Sequence, residues 1–144
     1  MTCCNKSRHT LAKAGARGLF CAALSIGLWA CQESLEQRAA REAKQYTAKS
    51  CPLKVNDLTV MDSMTFAPAT EAGGQSTFCY WYTVSGEADR EYTADERSRV
   101  TEALKKEVAN STHLAIYREA GYTFRYIYRS ATTPEKTLFD TSVK

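Results

Sequence analysis

Few side chains in this sequence are of types that make or break covalent bonds, and their spacing argues against most reactions. His113 is the only histidine after His9. As a general base it would need a nucleophile and an orienting group nearby. The sequence places neither beside it, and its position at a predicted helix end suits a surface or capping side chain. Asp57 and Asp62 flank a threonine-rich segment. Five residues apart, they point to opposite faces of an ideal strand, which argues against a paired-carboxylate hydrolase site. Asp89, Glu91, Asp95 and Glu96 lack the alternate-residue ladder and glycine of a calcium loop, and read instead as the solvated start of a helix, where negative charge suits the dipole. No glycine-rich phosphate loop, nucleophile elbow or metal motif is present. The sequence therefore assigns no catalytic residue, no metal ligand and no cofactor.

The six cysteines carry the more specific signal. Cys31 closes a segment with the layout of an export leader. Residues 1–17 hold Lys6, Arg8, Lys13 and Arg17 and no acid, and residues 18–30 are uncharged and mostly apolar, as in the n- and h-regions of a signal peptide. Thirteen residues at ~1.5 Å each reach only ~20 Å, short of the ~30 Å hydrocarbon core, so the segment is too short for a permanent span. An ordinary cleavage site wants small residues at −3 and −1, but Leu28 occupies −3. The run Leu28-Trp29-Ala30-Cys31 resembles the lipobox of bacterial lipoproteins, although Trp29 stands where a small residue is usual. That resemblance implies cleavage before Cys31 and acylation of its thiol and new amine. Three acyl chains exceed the two signals needed for stable anchoring. Gln32 at +2 favours the outer membrane by the enterobacterial sorting rule. With Cys3, Cys4 and Cys21 removed and Cys31 lipidated, Cys51 and Cys79 remain as a candidate disulfide. An oxidising compartment favours the bridge. A strand offset of ~20 Å argues against it, since bridged Cα atoms lie within ~7 Å. The sequence leaves both outcomes open.

Processing also changes the charge. Four of the 19 basic residues fall in the first seventeen positions, leaving 15 against 16 acidic residues from Cys31 onward. The formal +3 of the whole chain thus belongs to the leader, and the remainder has no electrostatic reason to seek nucleic acid.

Periodicity sets out the elements. Residues 34–49 read as a helix, opened by the capping-box spacing of Ser34 and Gln37, with a thin stripe of Leu35, Ala39, Ala43 and Tyr46. Cys51-Pro52 ends it. From Asp57 the period becomes two: Leu58, Val60, Met64 and Phe66 on one face, Thr59, Met61, Ser63 and Thr65 on the other. Phe78, Tyr80, Tyr82 and Val84 alternate with Cys79, Trp81 and Thr83 in a second strand. A helix over 93–110 follows, capped by Thr93 and Glu96, and then a short turn of helix from Leu114 that Gly121 stops. Tyr122, Phe124, Tyr126 and Tyr128 alternate with Thr123, Arg125, Ile127 and Arg129 before a turn and a last strand. The expected fold is α+β: an N-terminal helix, then ββαββ, an antiparallel four-stranded sheet with helix 93–110 packed on its aromatic face. The expected divisions are a removed signal peptide at 1–30, a lipidated N-terminus and helical tether at 31–50, and one α+β domain at 51–144.

The segments Cys51-Pro52-x-x-Val55-Asn56-x-x-Thr59-x-Met61-Asp62-Ser63, Tyr80-x-Tyr82-Thr83-Val84-Ser85-Gly86 and Gly121-Tyr122-x-x-Arg125-Tyr126-x-Tyr128-Arg129 resemble a group of small uncharacterised exported proteins of Gram-negative bacteria. Asn56 and Met61 stand where that group often has Asp and Leu. The likeness implies no activity. It does imply that the Cys-Pro segment and the strand aromatics belong to one domain.

The aromatics on Phe78, Tyr80, Tyr82, Phe124, Tyr126 and Tyr128 form the expected core face. The opposite face carries Met61, Trp81, Ile127, Arg125 and Arg129 among threonines, which is too apolar for a solvated sheet face and has the Trp and Arg enriched at interfaces. Trp81, Arg125 and Arg129 are therefore the candidate partner contacts, unless the N-terminal helix lies across them. The function expected is a lipid-anchored, non-catalytic envelope module binding a protein, peptide or glycan. A small envelope hydrolase is the alternative.

Overall fold

A computed structural model describes residues 33–144 of the chain, and the leader and Cys31 lie outside them. The elements run α1 (Leu35–Ser50), β1 (Leu53–Asn56), β2 (Thr59–Ala67), β3 (Thr77–Val84), a 3-10 turn (Gly86–Ala88), α2 (Ala94–Asn110), α3 (Ala115–Glu119), β4 (Thr123–Ser130) and β5 (Thr137–Val143). The described residues form one compact unit.

Local chemistry sets the helix ends. Ser34 and Gln37 form a complete capping box on α1, and Thr93 and Glu96 form another on α2, each satisfying two otherwise orphaned backbone donors. Arg118 closes the far end of α2 by donating to the carbonyls of Val108 and Ser111. Gly121, at φ 77°, ends α3 in a Schellman turn: Tyr122 N–H donates to the Tyr117 carbonyl and Gly121 N–H to that of Arg118, as a left-handed residue allows.

The four-stranded antiparallel ββαββ sheet expected from the sequence is not what forms. The sheet has five strands in the order β1-β2-β3-β4-β5, and it is mixed, because β3 and β4 pair in parallel while the other neighbours are antiparallel. The cause lies in the connection. The 17 residues of α2 reach ~25 Å at ~1.5 Å each, about the length of an eight-residue strand. The helix therefore carries the chain from the end of β3 back to its start, and β4 enters beside β3 in the same direction, as a crossover requires. The extra strand is β1, four exposed residues joined to β2 by Asp57 and Leu58, with the Asn56 side chain accepting from Leu58 N–H at 2.9 Å.

A second correction concerns the faces of β2. The register shifts between Met61 and Ser63, leaving Asp62 as a bulge. A bulge inserts one residue and swaps the faces on either side of it. Thr59 and Met61 consequently share a face with Met64 and Phe66, and Met61 is buried in place of facing outward.

Rows of side chains cross the sheet on the helix-covered face. Phe66, Phe78 and Phe124 form the first, Met64, Tyr80 and Tyr126 the second, and Met61, Tyr82, Tyr128 and Phe139 the third. Ala39 and Ala43 of α1 are fully buried against this face together with Tyr117 of α3 and Leu104 and Val108 of α2. The alanine stripe lets α1 approach the sheet closely. Thr47 then binds the free edge of β2, donating to the Met64 carbonyl and accepting from its N–H, both at 2.8 Å. The segment expected as a tether thus carries a helix that helps build the core.

Candidate functional site

Because α1 stands over β2 and α2 stands over β5, the tyrosine end of the two middle strands is left partly covered, with Tyr80, Tyr82 and Tyr128 half-buried. Between the helices lies a groove made of two adjoining clefts, of about 510 and about 480 Å³. Both are lined by Tyr46 of α1, Met61 of β2, Tyr82 of β3 and Glu107 of α2, so they run into one another. These volumes fall within the range of ordinary ligand sites.

The floor is a stacked block of phenols. Tyr80 and Tyr126 stack at 4.8 Å between ring centroids, and so do Tyr82 and Tyr128. Offset stacking of this kind leaves ring edges and hydroxyls as the upper surface. Tyr126 is only 4% exposed, and what remains open lies in the groove. None of the four hydroxyls hydrogen-bonds to another described residue, whereas Tyr117 donates to Glu42 at 2.7 Å. Burial, its largest cause, and the Glu107 carboxylate, which contributes to all four, push the hydroxyls above their ordinary range. Tyr128 rises to about 12. All four are neutral donor–acceptors at ordinary pH.

Two carboxylates border the floor. Glu42 is held by Arg38 Nε at 2.7 Å and by Tyr117. These hydrogen bonds outweigh its burial and keep it below the usual carboxylate range. Glu107 is exposed, and its carboxylate forms no hydrogen bond or ion pair with a described residue. His113 lines the end of the groove near α3, exposed. Among the described residues no group of three His, Cys, Asp or Glu side chains could hold a metal, and no helix is long and apolar enough to cross a membrane.

The site residues expected from sequence lie elsewhere. Trp81, Arg125 and Arg129 do share one face, and it is the face opposite α1, so the helix does not cover them. Each is tied within the face. Trp81 Nε1 donates to Thr65 Oγ1 at 3.0 Å, and the Arg129 guanidinium lies 5.0 Å from the Trp81 ring centroid. Arg125 forks onto Asp140, with Nε 2.9 Å from Oδ1. Asp62 accepts from Thr83 at 2.7 Å and lies 3.8 Å from Arg129. Together these groups bury Ile127, which is 3% exposed although the described helices lie on the other face. Arg129 Nε is buried without a partner among the described residues. Asp57 is fully separate from Asp62, pairing with Lys54 at 2.8 Å. Cys51 and Cys79 are unbridged. Cys79 sits opposite Thr65 on one side and Arg125 on the other, and Cys51 caps α1.

The sequence assigned the strand tyrosines to a covered core. One signal could have found the groove: along β3 and β4 the inward residues change from Phe78 and Phe124 to Tyr80, Tyr82, Tyr126 and Tyr128.

A crystal structure of a protein from Pseudomonas aeruginosa, described as secreted, shares this fold at a TM-score of 0.54 and 15% identity, over 76% of this chain and 92% of that one. No curated protein matches the chain. Residues 34–139 match the family described as a domain of unknown function, DUF8479, and the chain belongs to that family.

Proposed function

We propose that this chain is an exported bacterial lipoprotein, cut before Cys31, held at the outer membrane by lipid, and acting as a non-catalytic binding module. Its leader layout and Leu28-Trp29-Ala30-Cys31 motif support export and anchoring, and the fold it shares with a protein described as secreted agrees with export. The observation that carries the binding reading is the open tyrosine floor. Four phenol hydroxyls without protein partners line a groove between two helices, and unpaired polar groups on an apolar floor are what a ligand's own polar groups satisfy.

On this reading the binding surface is the groove and not the Trp81 face, where Trp81 bonds to Thr65 and Arg125 is held by Asp140 within the face. Amide-shift mapping of the full-length protein in nonionic detergent tests the reading, with soluble cell-wall glycan fragments and short peptides as probes. A ligand should shift Tyr46, Tyr82, Tyr126 and Glu107. Shifts confined to Trp81, Arg125 and Arg129 would move the site to the other face.

A further inference from the structure

We propose that the groove takes an extended peptide and reads one of its basic side chains, a lysine or arginine whose cation sits over the phenol floor against Glu107. The inference deepens the binding reading above and rests on it. Three observations converge. The groove's lining acids are Glu42 and Glu107, and its one lining cation, Lys54, is paired with Asp57. Glu42 is occupied by Arg38 and Tyr117, so Glu107 is the carboxylate with no partner among the described residues. Tyr126, though almost wholly buried, turns an unpartnered hydroxyl into the same space. Phenol oxygens and a carboxylate are acceptors, and an ammonium or guanidinium is donor-only. A charge-assisted bond to Glu107 with further bonds to the hydroxyls satisfies both sides, while the apolar ring edges and Met61 suit the carbon stem of such a side chain.

An extended peptide, more than a free amine, fits the shape. The two clefts together run from His113 to β1. All four residues of β1 are exposed, Leu53 at 40% and Val55 at 54%, and β1 ends the sheet. A chain leaving the groove there meets unpaired strand backbone, the basis of strand addition.

The test is calorimetry and amide-shift mapping of the full-length protein in nonionic detergent. The probes are end-blocked pentapeptides of alanine with a central lysine, leucine or glutamate, and a free diamine. The lysine peptide should bind best and shift Tyr82, Tyr126, Glu107 and β1. Glu107→Gln should weaken it about ten-fold or more, whereas Glu135→Gln, the same charge change on the distant β4–β5 turn, should not. Equal binding of all three peptides in the groove would overturn the cation reading and leave the groove site standing. A free diamine binding as tightly as the lysine peptide would overturn the peptide part. Shifts at Trp81 and Arg125 in place of the groove would overturn both.

Discussion

Tyr126 and Phe124 sit two residues apart on one face of β4, yet a change at each should have opposite consequences. Phe124 is fully buried among Phe78 and its neighbours, so Phe124→Ala should cost about 3–5 kcal/mol in a urea melt. Tyr126→Phe removes only a hydroxyl that has no protein partner and keeps the stacked ring, so stability should stay within about 0.5 kcal/mol while ligand capture falls. Trp81 lies between these cases. It loses one hydrogen bond and the Arg129 contact, so Trp81→Ala should cost about 2 kcal/mol, less than a core truncation, because α1 lies on the other face. Glu96 gives a pH dependence. The Arg90 fork, then the Thr93 backbone and side chain, hold it down at about 2 from an unfolded value near 4.5. A carboxyl depressed on folding contributes stability above about pH 4.5 and loses it as the pH falls through about 2. Glu96→Gln should flatten urea midpoints across that window, and an unchanged acid limb would contradict the assignment.

At the scale of elements, both long helices were legible from their capping boxes and apolar stripes, and the Gly121 stop from its position. The missed features depend on contacts distant in sequence. Leu53–Asn56 is too short and too exposed for period two to register, and it becomes a strand only through pairing with β2. The Asp62 bulge reverses a pattern that otherwise read cleanly, moving Met61 into the core. The parallel β3–β4 pair follows from matching the length of α2 to the strands, a geometric step that alternation alone does not contain. The place of α1 was the least legible, because an alanine stripe reads as weak burial when it is in fact close approach. Thr47 fastens that approach. Thr47→Val would leave both backbone groups of Met64 unpaired at a part-buried edge and should cost about 1–3 kcal/mol. Loss of amide-exchange protection confined to α1 and β2 would identify the element affected.

For the molecule as a whole, the sequence put Trp81, Arg125 and Arg129 forward as partner contacts, and the structure ties Trp81 to Thr65 and Arg125 to Asp140 within their own face. The groove was invisible in sequence because it is a gap between two helices, and only the change from phenylalanine to tyrosine along β3 and β4 marks it. The proposed anchoring has its own test. Cys31→Ser should abolish acyl mass on the intact protein and leave unprocessed precursor, and a mature N-terminus elsewhere would contradict it. The central claim, that binding occurs in the α1–α2 groove, is tested most directly in the cell. A photo-crosslinking amino acid placed at Tyr46, on the groove rim and 38% exposed, should give covalent adducts in intact cells, read by mass spectrometry, while the same group at Arg125 should give none. Adducts from Arg125 alone, or from neither position, would contradict the account.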